Sequence, residues 1–189
     1  MRCLANRITR FIVSNSYVDE KEFEIYEYGF QIGIEACICV GVTFVEALLL
    51  GMVVEWMLFF VVFIPLRSYA GGLHMNSFGG CFILSNIVFL NVLLISRQLS
   101  VESDVLFWGT VLLLLCIYFL YPIENSNRII SSEERVSIKN KFNKIICRLF
   151  LIPVTMLALS YEKGLKLMML TLLMIVITMI LGKVKNQKH

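Results

Sequence analysis

A thiol and an imidazole stand seven residues apart in the segment Arg67-Ser-Tyr-Ala-Gly-Gly-Leu-His-Met-Asn-Ser-Phe-Gly-Gly-Cys81. Imidazole can accept the thiol proton, and the thiolate that results is the reactive form of cysteine. Spacing alone allows a plainer reading too, with His74 an interfacial polar residue and Cys81 a small residue at a helix start. The catalytic reading carries a geometric demand. On one straight helix, seven residues amount to about 10.5 Å of rise, too far for direct proton exchange. A bend is therefore required, and Gly79-Gly80 are expected to supply it, while Gly71-Gly72 permit a turn or a close backbone approach. A helix opening just after Cys81 would set the sulfur at its N-terminus, where the dipole and unused amides favour a thiolate and an oxyanion. Asn76, Ser77, Ser85 and Asn86 are candidate orienting or oxyanion donors, and Arg67 a supporting cation. Metal chemistry is not expected: zinc sites take three or four protein ligands, and the only other histidine is His189. No cofactor is implied.

The elements that must position these groups belong in lipid. Hydrophobic residues make up 58% of the chain, above the roughly 45–50% of soluble domains. Several runs approach the ~20 apolar residues that cross the hydrocarbon layer as a helix. They are rich in Leu, Ile, Val and Met without period-2 alternation, which favours helices over a barrel. The expected fold is all-α: a single integral-membrane domain over residues 1–189, a polytopic helical bundle of about six embedded helices. The predicted spans are 29–50, 52–66, 82–96, 105–121, 149–161 and 167–182. Pro65 is expected to end the second. Spans 52–66 and 149–161 reach only about 20 Å each and are candidates for tilted or re-entrant helices. Residues 1–28 lack a long apolar run, so no cleavable signal peptide is expected. Ile8, Phe11 and Ile12, with Phe23 and Tyr26, instead suit an amphipathic helix at the membrane surface.

A net charge of +3 on so apolar a chain argues against nucleic acid as a partner. The placement of the charge says more. With the N-terminus taken as cytoplasmic, fourteen basic residues fall inside and only Arg97, Lys163 and Lys166 outside, which is the positive-inside pattern. Both termini and the 67–81 segment are then cytoplasmic. Residues 122–148 form a basic cytoplasmic stretch, with a helix start at Ser131 or Ser132 ahead of Glu133 and Glu134. Val136, Ile138, Phe142, Ile145 and Ile146 give that helix an apolar stripe. Its Arg135, Lys139, Lys141 and Lys144, with Arg128 before it, are either a solvated face or a dock for an acidic peptide or anionic lipid. Glu35, Glu46 and Glu55 lie within spans, where a charge costs at least ~2.5 kcal/mol. Glu46 and Glu55 sit near the outer turn; Glu35 is a structural partner or a contact for a substrate amine. The six cysteines are scattered and imply no disulfide framework. Cys37 and Cys39 read as buried small hydrophobes.

The order Arg67-x3-Gly71-Gly72-x-His74-x6-Cys81, after an apolar span and a proline, resembles the accessory gene regulator B family. Glu27-Tyr28-Gly29 after a charged N-terminal helix, and Tyr121-Pro122-Ile-Glu124 opening a basic loop, extend the resemblance over the whole chain. It implies a cysteine endopeptidase of the bacterial plasma membrane, a multi-pass hydrolase in quorum sensing. Cys81 would be the nucleophile and His74 the base. The substrate would be a short amphipathic pro-peptide, cut on the C-terminal side of the future signal through a thioester and closed to a thiolactone or lactone. A homodimer in membrane lipid is also implied. The competing class is a non-catalytic transporter or interaction subunit, with the intramembrane glutamates marking a pathway.

Overall fold

The computed structural model describes residues 2–15, 19, 22–70, 78–121 and 132–186. These form seven helices: α1 (Arg2–Ser14), α2 (Phe23–Leu50), α3 (Val53–Ala70), α4 (Phe78–Gln98), α5 (Ser103–Leu120), α6 (Ser132–Ala158) and α7 (Glu162–Asn186). No strand occurs among the described residues. The chain is an all-α polytopic membrane protein. Five helices (α2, α3, α4, α5 and α7) are long and apolar enough to cross a bilayer.

The helices fall into two units, Met1–Leu50 and Gly51–His189. In the first, α1 packs against α2, with Ala5 and Thr9 buried. Thr9 Oγ1 donates to the Ala5 carbonyl at 2.9 Å, so the buried hydroxyl asks nothing of its neighbour. Glu27 of α2 accepts a hydrogen bond from Asn6 Nδ2 at 2.9 Å and pairs with Arg2 at 3.6 Å. The N-terminal helix is thus shorter than expected: it stops at Ser14, and Phe23 and Tyr26 belong to α2. Glu24 and Glu27 occupy the first turns of α2, where acidic side chains complement the helix dipole, so the helix starts ahead of the apolar run expected from residue 29.

The second unit is built around α7, which packs against α3, α4, α5 and α6. Half of its apolar window is buried, against 11–28% in the other four candidate spans, which makes it the central helix. Leu165, Met168, Leu172, Ile175 and Met179 repeat at alternating steps of three and four and fill the main core cluster. That is the seam spacing of knobs-into-holes packing. Around them stand Val62, Leu66 and Ala70 of α3, Leu106, Leu114 and Ile117 of α5, and Phe142, Ile146 and Leu149 of α6. Because lipid is as apolar as leucine, tight packing must hold these helices together, and small residues let them approach. A Cβ at Gly109 of α5 would meet the Met169 sulfur of α7 at 3.1 Å. The buried hydroxyls of Thr110 and Thr171 each donate to a carbonyl four residues back at 2.7 Å, leaving no polar demand at the interface.

Direction follows from contacts near the helix ends. Ser103 Oγ at the start of α5 donates to Glu162 at the start of α7, at 3.2 Å, so these two helices run parallel. Tyr121, just past α5, stacks on Phe142 of α6 at 4.0 Å, and α6 returns antiparallel to meet α7 at residues 159–161. Glu55, in the first turn of α3, acts electrostatically on Tyr161. Helices α3, α5 and α7 therefore run one way and α4 and α6 the other. The α6–α7 reversal closes as a Schellman motif, with Tyr161 N–H donating to the Met156 carbonyl at 2.8 Å and Ser160 N–H to Leu157 at 3.0 Å. Ser160 holds the left-handed position at φ 53°, usually glycine's.

Two expectations about prolines and boundaries are corrected. Pro65 does not end its helix; α3 continues through Arg67 to Ala70. Pro153 likewise lies inside α6. Proline is tolerated inside membrane helices because neighbouring groups and small backbone adjustments re-satisfy the carbonyl it frees. The short span expected at 149–161 is the second half of α6, whose 27 residues rise about 40 Å. Cys37 is exposed on α2 rather than buried, and Cys39 is half-buried.

Candidate active site

The end of the second unit where α3 stops and α4 begins carries Cys81. The helix starts at Phe78, so Phe78-Gly79-Gly80-Cys81 is its opening turn. The expected bend at Gly79-Gly80 is therefore not there: both glycines are helical. A bend that brings His74 back to Cys81 would have to fall within residues 71–77. Those residues, and with them His74, Gly71, Gly72, Asn76 and Ser77, lie outside the described residues. The sulfur of Cys81 is exposed. The opening turn of a helix carries unused backbone amides and the positive end of its dipole.

Arg67 approaches from the last turn of α3. It is half-buried, and its guanidinium and the Cys81 thiol are near enough to interact electrostatically. Leu66 and Ala70 on either side of it are buried in the core cluster, which fixes this helix end. Lower in the bundle, α3 and α4 meet through rings: Phe59 lies edge-on to Phe89 at 5.2 Å and stacks on Phe63 at 4.9 Å. Both helices pack against α7, which holds them in place below Arg67 and Cys81.

The remaining candidates divide. Ser85 is half-buried one turn after Cys81 and shares its face of the helix. Asn86 is turned away into the protein: it is buried, and its Nδ2 donates to the Phe82 carbonyl at 2.7 Å. Its Oδ1 is buried without a hydrogen-bond partner. With one N–H spent on its own helix and the side chain facing inward, Asn86 is poorly placed as an oxyanion donor beside Cys81. Glu35 belongs to α2 in the other unit, where its carboxylate accepts from Gln31 Nε2 at 3.0 Å.

The basic residues of α6 are exposed and do not form one patch. Phe142, Ile146 and Leu149 are the buried face. Lys141, Lys144 and Arg148, spaced three and four apart, line the opposite side, while Arg135 and Lys139 extend the line of the buried face beyond the core. Arg148 was not among the docking candidates, although its spacing from Lys141 and Lys144 already assigned it to their stripe. Arg128 lies outside the described residues. Tyr121, stacked on Phe142, has its phenol pushed above the ordinary value by burial. Among the described residues no three His, Cys, Asp or Glu side chains converge as a metal ion would require.

Fold and site together define a polytopic helical membrane protein that presents a cysteine in the opening turn of an apolar helix. The chain belongs to the accessory gene regulator B (AgrB) family, whose family model matches residues 5–181. A protein of Clostridium perfringens (strain SM101 / Type A) named as AgrB-like is 24% identical over 182 residues, covering 92% of this chain and 85% of that one. A second AgrB-like protein, from Clostridium perfringens (strain 13 / Type A), is 24% identical over 169 residues, covering 85% of this chain and 79% of its own length. No solved structure matches. Membership associates the chain with quorum-sensing peptide processing in the membrane.

Proposed function

We propose that the chain is a membrane-embedded cysteine endopeptidase that cleaves an autoinducer pro-peptide and closes the product into a ring. The carrying observation is the exposed Cys81 in the opening turn of α4, beside Arg67, in a member of the AgrB family. His74 removes the thiol proton and the Cys81 sulfur attacks the carbonyl carbon at the C-terminal side of the future signal. The carbon–nitrogen bond breaks, the departing amine takes the proton from His74, and the signal segment remains on Cys81 as a thioester. A side-chain thiol or hydroxyl of the precursor then gives its proton to His74 and attacks the thioester carbon. This expels the Cys81 thiolate and leaves a thiolactone or lactone. Cysteine suits this sequence because a thioester keeps the acyl group activated for a second nucleophile, whereas attack by water would discard it.

Arg67 stabilises the thiolate and the oxyanion through charge, and amides of the α4 opening turn are available to the oxyanion. The stripe of Lys141, Lys144 and Arg148 receives the acidic part of the precursor. This end of the bundle faces the cytoplasm: among the described residues of this unit, Arg135, Lys139, Lys141, Lys144, Arg148 and Lys183 lie towards it and Arg97, Lys163 and Lys166 towards the other. The test is incubation of the reconstituted protein with a cysteine-containing precursor peptide. Wild type forms a thioester adduct on Cys81 and releases a cyclic product. Cys81→Ser and His74→Ala should lose cyclic product by roughly a thousand-fold or more, as loss of a nucleophile or its base does elsewhere. Normal processing by either variant overturns the assignment.

A further inference from the structure

The first unit carries a surface that the peptidase reading does not use. Helix α1 contains no acidic residue and three arginines. One of its faces is committed: Ala5 and Thr9 are buried against α2, and Arg2 and Asn6 both hold Glu27. Next to that face, Leu4 and Phe11 stand one above the other, seven residues apart, and are 50% and 67% exposed. Arg7 and Arg10 follow around the helix and are exposed as well. An apolar edge flanked by cations on a short helix is the pattern of segments lying in a headgroup plane.

The depth of the helix comes from α2. Residues on both sides of the clamped Glu27, Tyr26 and Tyr28, are exposed tyrosines at the start of an apolar helix. Tyrosine at the end of a membrane helix marks the water–lipid boundary, where its ring and hydroxyl are both accommodated. Because α1 grips α2 at that residue, it is held at headgroup level.

We propose that α1 is a lipid-docking helix selective for anionic phospholipid: Leu4 and Phe11 enter the boundary between headgroups and acyl chains, and Arg7 and Arg10 gather anionic headgroups beside them. The occupant is the leaflet itself rather than a protein, because positive charge beside an apolar edge at this depth meets headgroup phosphate first. The proposal stands apart from the peptidase reading, and its test requires no processing.

The experiment uses full-length protein carrying Phe11→Trp, with Trp56→Phe and Trp108→Phe removing the other indoles. It is reconstituted in vesicles in which the same mole fraction of either phosphatidylcholine or phosphatidylglycerol is brominated on its acyl chains. Both lipids should quench the fluorescence at position 11, and brominated phosphatidylglycerol should do so about twofold more strongly, because anionic lipid is enriched around the arginines. High salt should equalise the two, as should Arg7→Gln with Arg10→Gln, while quenching by brominated phosphatidylcholine persists. Absence of quenching by either lipid would mean that the edge faces water or is covered by protein, including a bound peptide, and would overturn the proposal. Equal quenching at low salt would overturn its anionic selectivity.

Discussion

The two ends of the α3–α7 bundle are made from the same five helices and differ in how those helices are joined. At one end the links are short, residues 99–102 and 159–161, and side chains fasten them. Ser103 bonds Glu162, Lys166 pairs with Glu162 at 3.8 Å, and the Tyr161 ring lies in the space above Gly164. At the other end the links are longer, residues 71–77 and 121–131, and Cys81 and the basic stripe of α6 are exposed. The fastened end uses its side chains to hold helices. On the peptidase reading proposed above, the open end keeps its cysteine and charged groups for the incoming peptide. A nucleophile that must meet a peptide has to sit on an element held elsewhere, so that its position is fixed without its being buried.

That division predicts opposite mutational signatures. Cys81→Ala should abolish processing while leaving the unfolding temperature unchanged, because an exposed side chain with little packing contributes little to stability. Gly164→Ala should do the reverse. A Cβ there would overlap the Tyr161 ring and approach Met156 Cε at 3.1 Å. Relieving that overlap costs about 1–3 kcal/mol. Thermal unfolding in detergent should show the loss, and processing per folded molecule should stay near wild type. Should Gly164→Ala slow turnover as severely as it lowers stability, the two ends would be mechanically coupled and the division would fail.

Much of the architecture was legible before any coordinates, because lipid imposes a length and a composition on every crossing helix. The apolar runs at 29–50, 82–96, 105–121 and 167–182 all lie largely within helices, and the family could be read from Arg67, Gly71, Gly72, His74 and Cys81. Pro65 was misread because a rule that holds in water, where a broken helix exposes its carbonyl cheaply, weakens in lipid. Gly79-Gly80 were misread as a bend because two adjacent glycines permit one without requiring it; they are equally acceptable in a helix's opening turn. Nothing in local pattern reveals that Glu27 clamps α1, since that contact joins separate helices; the packing of Tyr161 over Gly164, three residues on, depends on the reversal between α6 and α7. The spacing of Lys141, Lys144 and Arg148 was readable and missed, because Arg148 falls where the apolar half of α6 begins and was counted with topology instead of with docking.

Charge sharpens the contrast between the ends. With Lys141→Gln, Lys144→Gln and Arg148→Gln combined, the KM for an acidic-tailed precursor should rise about tenfold, at up to about 1 kcal/mol per exposed charge contact. The kcat should change little, since the proposed role of these residues is to hold the tail and not the reacting carbonyl. The wild-type KM should climb with ionic strength and the variant's should not. Lys163→Gln at the opposite end should leave both parameters unaltered. An equal KM effect from Lys163→Gln would mean that total charge, and not its placement, attracts the precursor.

The smallest effect tests how completely the fastened end is optimised. Ser160 occupies the left-handed position of the turn between α6 and α7, at φ 53°. A side chain there places Cβ against the following carbonyl, a cost of roughly 1–2 kcal/mol that glycine avoids. Glycine in turn loses more freedom on folding, roughly 0.5–1 kcal/mol. Ser160→Gly should therefore stabilise the protein by less than about 1 kcal/mol, seen as a small rise in unfolding temperature with processing unchanged. The gain should also be smaller in a Gly164→Ala background: once Tyr161 has shifted, the turn no longer has to hold the conformation that glycine favours, so the two substitutions should be non-additive. Full additivity would show that the reversal at Ser160 and the packing of Tyr161 on Gly164 are independent fastenings.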